Sequence, residues 1–269
     1  MAQGRFRVAA VQMVSEPEVQ ANLAVAGELI ARAAGEGAQL VALPEYFCIL
    51  GLRDRDKVDV READGQGPIQ DFLAGAAARN KVWLVGGSVP LECADPNKVK
   101  NTCLVFDQTG RRVARYDKIH LFGFDLGAER FQESRSIEPG SEVVTVDAPF
   151  GRLGLSICYD LRFPEIYRKM GVVDLILVPS SFTATTGKAH WEMLLRARAV
   201  ENQAYVLAPA QGGHHKNGRD THGHSMIIDP WGNVLAVLAS GPGVITAGID
   251  HAEIARVRQS LPALTHRVM

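Results

Sequence analysis

Three side chains in this sequence have the types and surroundings that chemistry could use. Cys158 lies in Gly154-Leu-Ser-Ile-Cys158-Tyr159-Asp160-Leu-Arg162-Phe-Pro164-Glu165, where an apolar strand ends and a helix with proline in its first turn begins. At such an elbow a thiol meets unpaired backbone N–H groups and the positive end of the helix dipole, which favour the thiolate and can hold an oxyanion. Glu45 follows Leu40-Val-Ala-Leu-Pro44, so an apolar strand delivers a carboxylate to the carboxyl edge of a sheet, where ligands gather. Lys118 stands in Tyr116-Asp-Lys118-Ile-His-Leu-Phe122, just after a strand and among aromatic and apolar neighbours, where an ammonium can be held close to a reacting centre. Alone, each has a blander reading: a small buried hydrophobe, a solvated loop carboxylate, a surface lysine whose stem covers apolar neighbours.

The elements that must position these groups alternate between short apolar, β-branched runs and longer runs of helical period, the pattern of an α/β fold. Residues 6–13 read as a strand, 19–34 as an alanine-rich helix closed by Gly35 and Gly37, and 40–43 as a second, buried strand. A helix over 68–79 leads into a strand over 82–85. Residues 101–106 and 111–116 read as a hairpin turning at Gly110, so antiparallel strands are mixed in. Further strands are expected over 143–146, 153–157, 174–178 and 205–209, helices over 163–170 and 188–203, a short loop over 123–130, and a hairpin of 224–228 with 234–238 around Asp-Pro-Trp-Gly-Asn. No linker, repeat or low-complexity tract divides the chain, and residues 1–269 read as one domain.

Hydrophobic residues make up 46% and charged residues 22%, which is globular composition. A net charge of −1, with Lys and Arg scattered, gives no footprint for nucleic acid or an anionic membrane. The amino terminus carries neither a signal h-region nor a spanning segment, so a cytoplasmic location is expected. Cys48, Cys93, Cys103 and Cys158 form no CxxC pair, which suggests neither a disulfide framework nor a thiolate metal site. The cluster His214, His215, His222 and His224 invites comparison with a zinc hydrolase, but it lies in a Gly- and Asn-containing loop rather than on defined elements. Gly86-Gly87 and Gly151-x-x-Gly154 make no phosphate or dinucleotide fingerprint.

Taken together, Leu-Pro-Glu45, Tyr-Asp-Lys118-Ile-His-Leu and Ser-Ile-Cys158-Tyr-Asp-Leu-Arg-Phe-Pro-Glu resemble, in order, the glutamate, lysine and cysteine motifs of the nitrilase superfamily of carbon–nitrogen hydrolases. The resemblance runs from the first strand to the last residues. It implies a four-layer α-β-β-α sandwich, usually paired into dimers through outer helices, and an amidase that needs no cofactor or metal. It also implies a second active-site glutamate, for which Glu133 in Phe131-Gln-Glu133-Ser134 is preferred over Glu129. In the family's scheme Glu45 takes the thiol proton as Cys158 attacks the amide. It then protonates departing ammonia and activates the water that resolves the thioester. Lys118 and the backbone N–H of Tyr159 hold the oxyanion, and Glu133 orients Lys118 or the substrate nitrogen.

Ala210-Gln-Gly-Gly-His-His215, Gly223-His-Ser-Met-Ile-Ile-Asp-Pro-Trp-Gly232 and Leu261-Pro-Ala-Leu-Thr-His-Arg267 are similar to the deaminated glutathione amidase subgroup. The helix with Ala189-His-Trp-Glu192 is shared with ω-amidases acting on α-ketoglutaramate, the second reading, and a general nitrilase is the third. Tyr46, Tyr159, Phe182, Thr183 and His215 are candidate substrate contacts. Arg162 is a candidate partner for a substrate carboxylate, or else for Asp160 or Glu165.

Overall fold

The structure, a computed structural model, describes residues 4–127 and 129–268. The chain begins with β1 (Arg5–Gln12), α1 (Val19–Gly35), β2 (Leu40–Ala42), the single turn α2 (Asp56–Asp59) and α3 (Pro68–Asn80). Four strands follow, β3 (Trp83–Val85), β4 (Val89–Glu92), β5 (Val99–Phe106) and β6 (Arg112–Asp117), then a small hairpin of β7 (Gly123–Leu126) and β8 (Glu129–Gln132). The second half holds β9 (Thr145–Ala148), β10 (Gly151–Leu155), α4 (Pro164–Lys169), β11 (Leu175–Leu177), α5 (Ala184–Asn202) and β12 (Tyr205–Ala208). It ends with β13 (Ser225–Ile228), β14 (Val234–Leu238), β15 (Gly243–Asp250) and α6 (His251–Ser260).

Two sheets carry the fold. One runs β15-β1-β2-β3-β5-β4, with β6 also paired to β5, and the other runs β14-β13-β12-β11-β10-β9. Each has a parallel trio at its heart, β1-β2-β3 and β10-β11-β12, flanked by antiparallel strands. Strand alternation explains the layering. Phe6, Val8 and Ala10 of β1 enter the apolar layer shared by the two sheets, while Ala9 and Val11 enter the layer beneath α1 and α3. Leu40 and Ala42 against Val41, and Cys103 and Val105 against Leu104, repeat that split. Both faces of these strands are apolar because both are covered. On the far side of the second sheet, Ile166 and Tyr167 of α4 and Trp191, Leu195 and Ala199 of α5 cover the strands. At about 2 kcal/mol for each fully buried Leu, Ile or Val, a one-residue slip of any central strand would forfeit little burial but would misaim the loop that follows it. The result is the α-β-β-α sandwich.

Differences from the expected elements are local. The loop expected over 123–130 is the β7/β8 hairpin; strands β4 and β15 and helix α6 are additional. Helix α5 starts earlier than 188 because Thr183 Oγ1 accepts the Thr186 backbone N–H at 3.2 Å and caps it. No helix among the described residues is long and apolar enough to cross a membrane.

The parallel strands end toward one region, and a glycine there has a defined job. Gly87 adopts φ +54°, and a Cβ at this position would lie 2.1 Å from the Pro44 carbonyl oxygen. Only glycine lets the backbone after β3 pass the strand end that delivers Glu45. Gly87→Ala is expected to lower Tm by about 5 °C or more, combining left-handed strain with a backbone clash. An unchanged Tm in a calorimetric scan would show that the strand end tolerates displacement.

Candidate active site

Five segments converge at the carboxyl ends of the strands. Lys118, directly after β6, is buried at 1% exposure, as is Glu45, three residues after β2. The Lys118 ammonium donates to Glu45 Oε1 at 2.8 Å and to Glu133 Oε1 and Oε2 at 3.0 and 2.8 Å. Asn101 of β5 donates to Glu45 Oε1 at 2.9 Å. Glu133 accepts from the Tyr46 hydroxyl at 2.8 Å and from the Phe122 backbone N–H at 2.7 Å, while its own N–H donates to the Phe122 carbonyl at 3.0 Å. That clamp is why Glu133 meets the ammonium. The side chain of its competitor, Glu129, lies outside the described residues.

Charge sets the protonation states. Burial would lower the Lys118 pKa, but Glu133 and then Glu45 reverse this and hold it well above its ordinary value. Burial would raise Glu133, yet the Lys118 charge and the donors around it bring it below the usual carboxylate value. Glu45 goes the other way: burial outweighs the pull of Lys118, and Glu133 adds repulsion, so its pKa rises. The Cys158 thiol is pushed well above its ordinary value by burial and by the Glu45 charge, against the pull of Lys118 and the Ser181 backbone N–H. The resting group is thus a thiol beside a carboxylate, rather than the thiolate that an elbow position alone suggests. Burial and Glu45 outweigh the helix end, which here is only a 3₁₀ turn over Cys158–Arg162.

Cys158 sits on a sharp turn with φ +50°, and Tyr46 has φ +56°. A left-handed conformation costs a non-glycine residue about 1–2 kcal/mol and persists where neighbours hold it. Here the Cys158 N–H donates to the Pro179 carbonyl at 2.9 Å and the Tyr46 N–H to Ser88 Oγ at 2.9 Å. The fully buried Asp160 ties the cysteine turn to the lysine loop. Its Oδ2 accepts the Tyr116 hydroxyl at 2.6 Å and the Ile157 N–H at 2.9 Å. Its Oδ1 accepts the His120 N–H at 3.0 Å and faces His120 Nδ1 at 2.8 Å.

A cavity of about 490 Å³, lined in part by Glu45, Tyr46, Glu133, Cys158 and Thr183, opens on this centre. That is ordinary for a small-ligand site. Tyr159, Arg162 and Phe182 line a smaller recess that also reaches Cys158. Arg162 pairs with neither Asp160 nor Glu165. Its guanidinium lies over the Tyr159 and Phe182 rings at 5.7 and 5.4 Å, with Nη1 3.3 Å from His190 Nδ1, because Asp160 is already saturated. His215 lines neither space. It is buried, with Nδ1 2.9 Å from the Ser15 carbonyl and Nε2 2.7 Å from Thr221 Oγ1, so it braces the loop and does not lie at the surface. The histidines do not converge: His214 pairs with Asp220 at 2.8 Å and His222 stacks on His224 at 4.2 Å. Among the described residues no group of three His, Cys, Asp or Glu side chains could hold a metal.

Sequence reading passed over Asn101, Ser88 and the cavity residues Lys57 and Arg219. A polar residue inside the apolar strand Val-Lys-Asn101-Thr-Cys-Leu-Val-Phe was a usable signal for Asn101. Lys57 and Arg219 carried none, lying in polar segments that the fold alone brings to the cavity.

Known proteins resemble this chain over nearly its whole length. A family described as carbon-nitrogen hydrolase matches residues 7–259. The deaminated glutathione amidase of Synechocystis sp. is 43% identical over 269 residues, spanning 98% of either chain. Omega-amidase NIT2 of Xenopus tropicalis is 39% identical over 98% of this chain and 95% of its own. The crystal structure of the Caenorhabditis elegans NitFhit protein matches with a TM-score of 0.89 at 39% identity, covering 100% of this chain and 66% of that one. With motifs, fold and relatives in agreement, this chain belongs to the carbon-nitrogen hydrolase family.

Proposed function

We propose that the protein is a thiol amidase that hydrolyses a small-molecule amide to a carboxylate through a thioester on Cys158. The observation that carries this is a Glu45 carboxylate that shares the buried Lys118 ammonium with Glu133, on the cavity that Cys158 also lines. Glu45 takes the thiol proton as sulfur attacks the amide carbon. The oxyanion is stabilised by the Lys118 ammonium and the Tyr159 backbone N–H, each such contact being worth about 3 kcal/mol in a transition state. Glu45 returns the proton to the leaving nitrogen, then takes one from the water that resolves the thioester. A carboxylate can do both because burial raises its pKa toward neutrality while Lys118 limits the rise. Glu133 holds Lys118 in place, and the whole chain acts as one catalytic domain.

For the substrate we favour deaminated glutathione, on the strength of the Synechocystis relative, with α-ketoglutaramate second because the Xenopus omega-amidase matches over nearly the same length. Ammonia is the leaving group only for a primary amide such as the second. Deaminated glutathione, a 2-oxo acid joined by its amide to cysteinylglycine, would release that amine instead. Both yield α-ketoglutarate. Exposed apolar residues on α5 (Met193, Val200) and in and before β14 (Trp231, Val234, Leu235, Val237) offer surface for pairing two copies, and we propose a cytoplasmic dimer.

Cys158→Ala is expected to cut kcat at least a thousandfold, on the order of other lost nucleophiles, with Tm nearly unchanged. Substantial residual turnover in that variant would remove Cys158 from the reaction. Because the base must be ionised and its pKa is raised, kcat/KM should fall on acidification through a limb above the ordinary glutamate value of 4.5, and Glu45→Gln should lose the activity that titrates there. A limb at or below that value would contradict the burial argument. Hydrolysis of deaminated glutathione should exceed that of α-ketoglutaramate, both read as α-ketoglutarate release, with a simple nitrile, read as ammonia release, last. The reverse order would make the chain an omega-amidase or a nitrilase.

A further inference from the structure

Among the cations lining the main cavity, Lys57 has a distinct position. Arg219 is paired with Asp54 at 2.8 Å, and Arg130, at the rim, with Asp125 at 3.3 Å. Lys57 makes no ion pair within 4.0 Å among the described residues. Its ammonium donates to Ser136 Oγ at a long 3.3 Å and lies 5.4 Å from the centre of the Tyr46 ring. The carboxylates that act on it from a distance are Glu133 and Asp54. Glu133 is taken by Lys118, Tyr46 and the Phe122 N–H, and Asp54 by Arg219. Burial draws the Lys57 pKa below its ordinary value even against those two charges.

A half-buried cation facing a ligand cavity has lost part of its hydration without gaining a counterion, an expense that a folded chain avoids unless a ligand supplies the anion. An ammonium offers three donors, and Ser136 uses one. The site also adjoins the reacting centre, because the ring beneath Lys57 belongs to the Tyr46 whose hydroxyl holds Glu133.

We propose that Lys57, set between Tyr46 and Ser136, is the subsite that binds a carboxylate of the substrate and selects amides that also carry one. This rests on the amidase reading above. It places the carboxylate contact in the main cavity, whereas Arg162 lines the smaller recess beside Cys158.

The test compares α-ketoglutaramate with its methyl ester, in wild-type enzyme, K57M and K57R. The ratio of kcat/KM for acid over ester should fall about tenfold or more in K57M, as for one lost charge-assisted hydrogen bond, and the fall should lie in KM. K57R should recover part of it. An unchanged ratio, or an equal loss on both substrates, would overturn the assignment. Calorimetric binding of glutarate needs no turnover: K57M should bind it about tenfold more weakly than wild type. Equal affinities, or no binding to wild type, would overturn the subsite. If glutarate binding depends on Lys57 while the wild type cleaves no amide tested, the amidase reading fails and the anion subsite stands.

Discussion

One ammonium buried between two carboxylates governs this molecule. Taking Lys118 and Glu45 almost wholly out of water costs several kcal/mol per ion, and mutual attraction repays this only when every remaining polar atom has a partner. Two carboxylates against one ammonium also leave an excess of negative charge. The surroundings answer both demands: Asn101 on Glu45, and the Tyr46 hydroxyl and Phe122 N–H on Glu133, are all donors. Removing any one of them leaves a buried anion short of a hydrogen bond, so the set holds together as a unit. The same excess of negative charge keeps the proton on Cys158 until a substrate carbonyl offers somewhere for charge to go.

Such a cluster cannot be assembled locally. Glu45 belongs to the carboxyl end of β2, Asn101 to β5, Lys118 to the end of β6 and Cys158 to the turn after β10. The first three come from one sheet and the cysteine from the other, so the apolar layer between the sheets decides how far the thiol stands from its base. Asp160 joins the two sides directly, through Tyr116 and His120 from the lysine segment and Ile157 from the cysteine segment. Gly87 performs a similar service at Pro44 by leaving room for the strand end. Rigid strand ends with left-handed turns at Tyr46 and Cys158 are a way of aiming side chains that loops alone would leave loose.

Much of the fold was legible because burial on both faces leaves a plain mark. The run Phe-Arg-Val-Ala-Ala-Val-Gln has to be a covered strand once its alternate residues divide between two apolar layers. The hairpin turning at Gly110 was equally readable, since φ +83° there needs glycine. Strand β15 was not, because its reason for existing is β1, with Asp250 opposite Arg5 across nearly the whole chain. The motif residues Glu45, Lys118 and Cys158 stood out by their position at strand ends, and the structure brings all three together. The burial of His215 was not legible, because a histidine in a glycine-rich loop gives no local sign of the Ser15 carbonyl beside it. The surroundings of Arg162 were hidden for the opposite reason: its acidic sequence neighbour Asp160 turns inward, and the aromatic rings beside the guanidinium come partly from Phe182 in a later segment. Long-range electrostatics and packing, invisible in a short window, settled each of these.

The account stands or falls on a covalent bond at one sulfur. Acid-quenching the enzyme during steady turnover of an amide substrate, followed by proteolysis and mass spectrometry, reads that bond directly. The prediction is the acyl part of the substrate attached as a thioester to the peptide that carries Cys158, and strongly reduced in Glu45→Gln, which lacks the base that the thiol needs to attack. An acyl group on another residue, or sustained turnover with every peptide unmodified at all quench times, would contradict it.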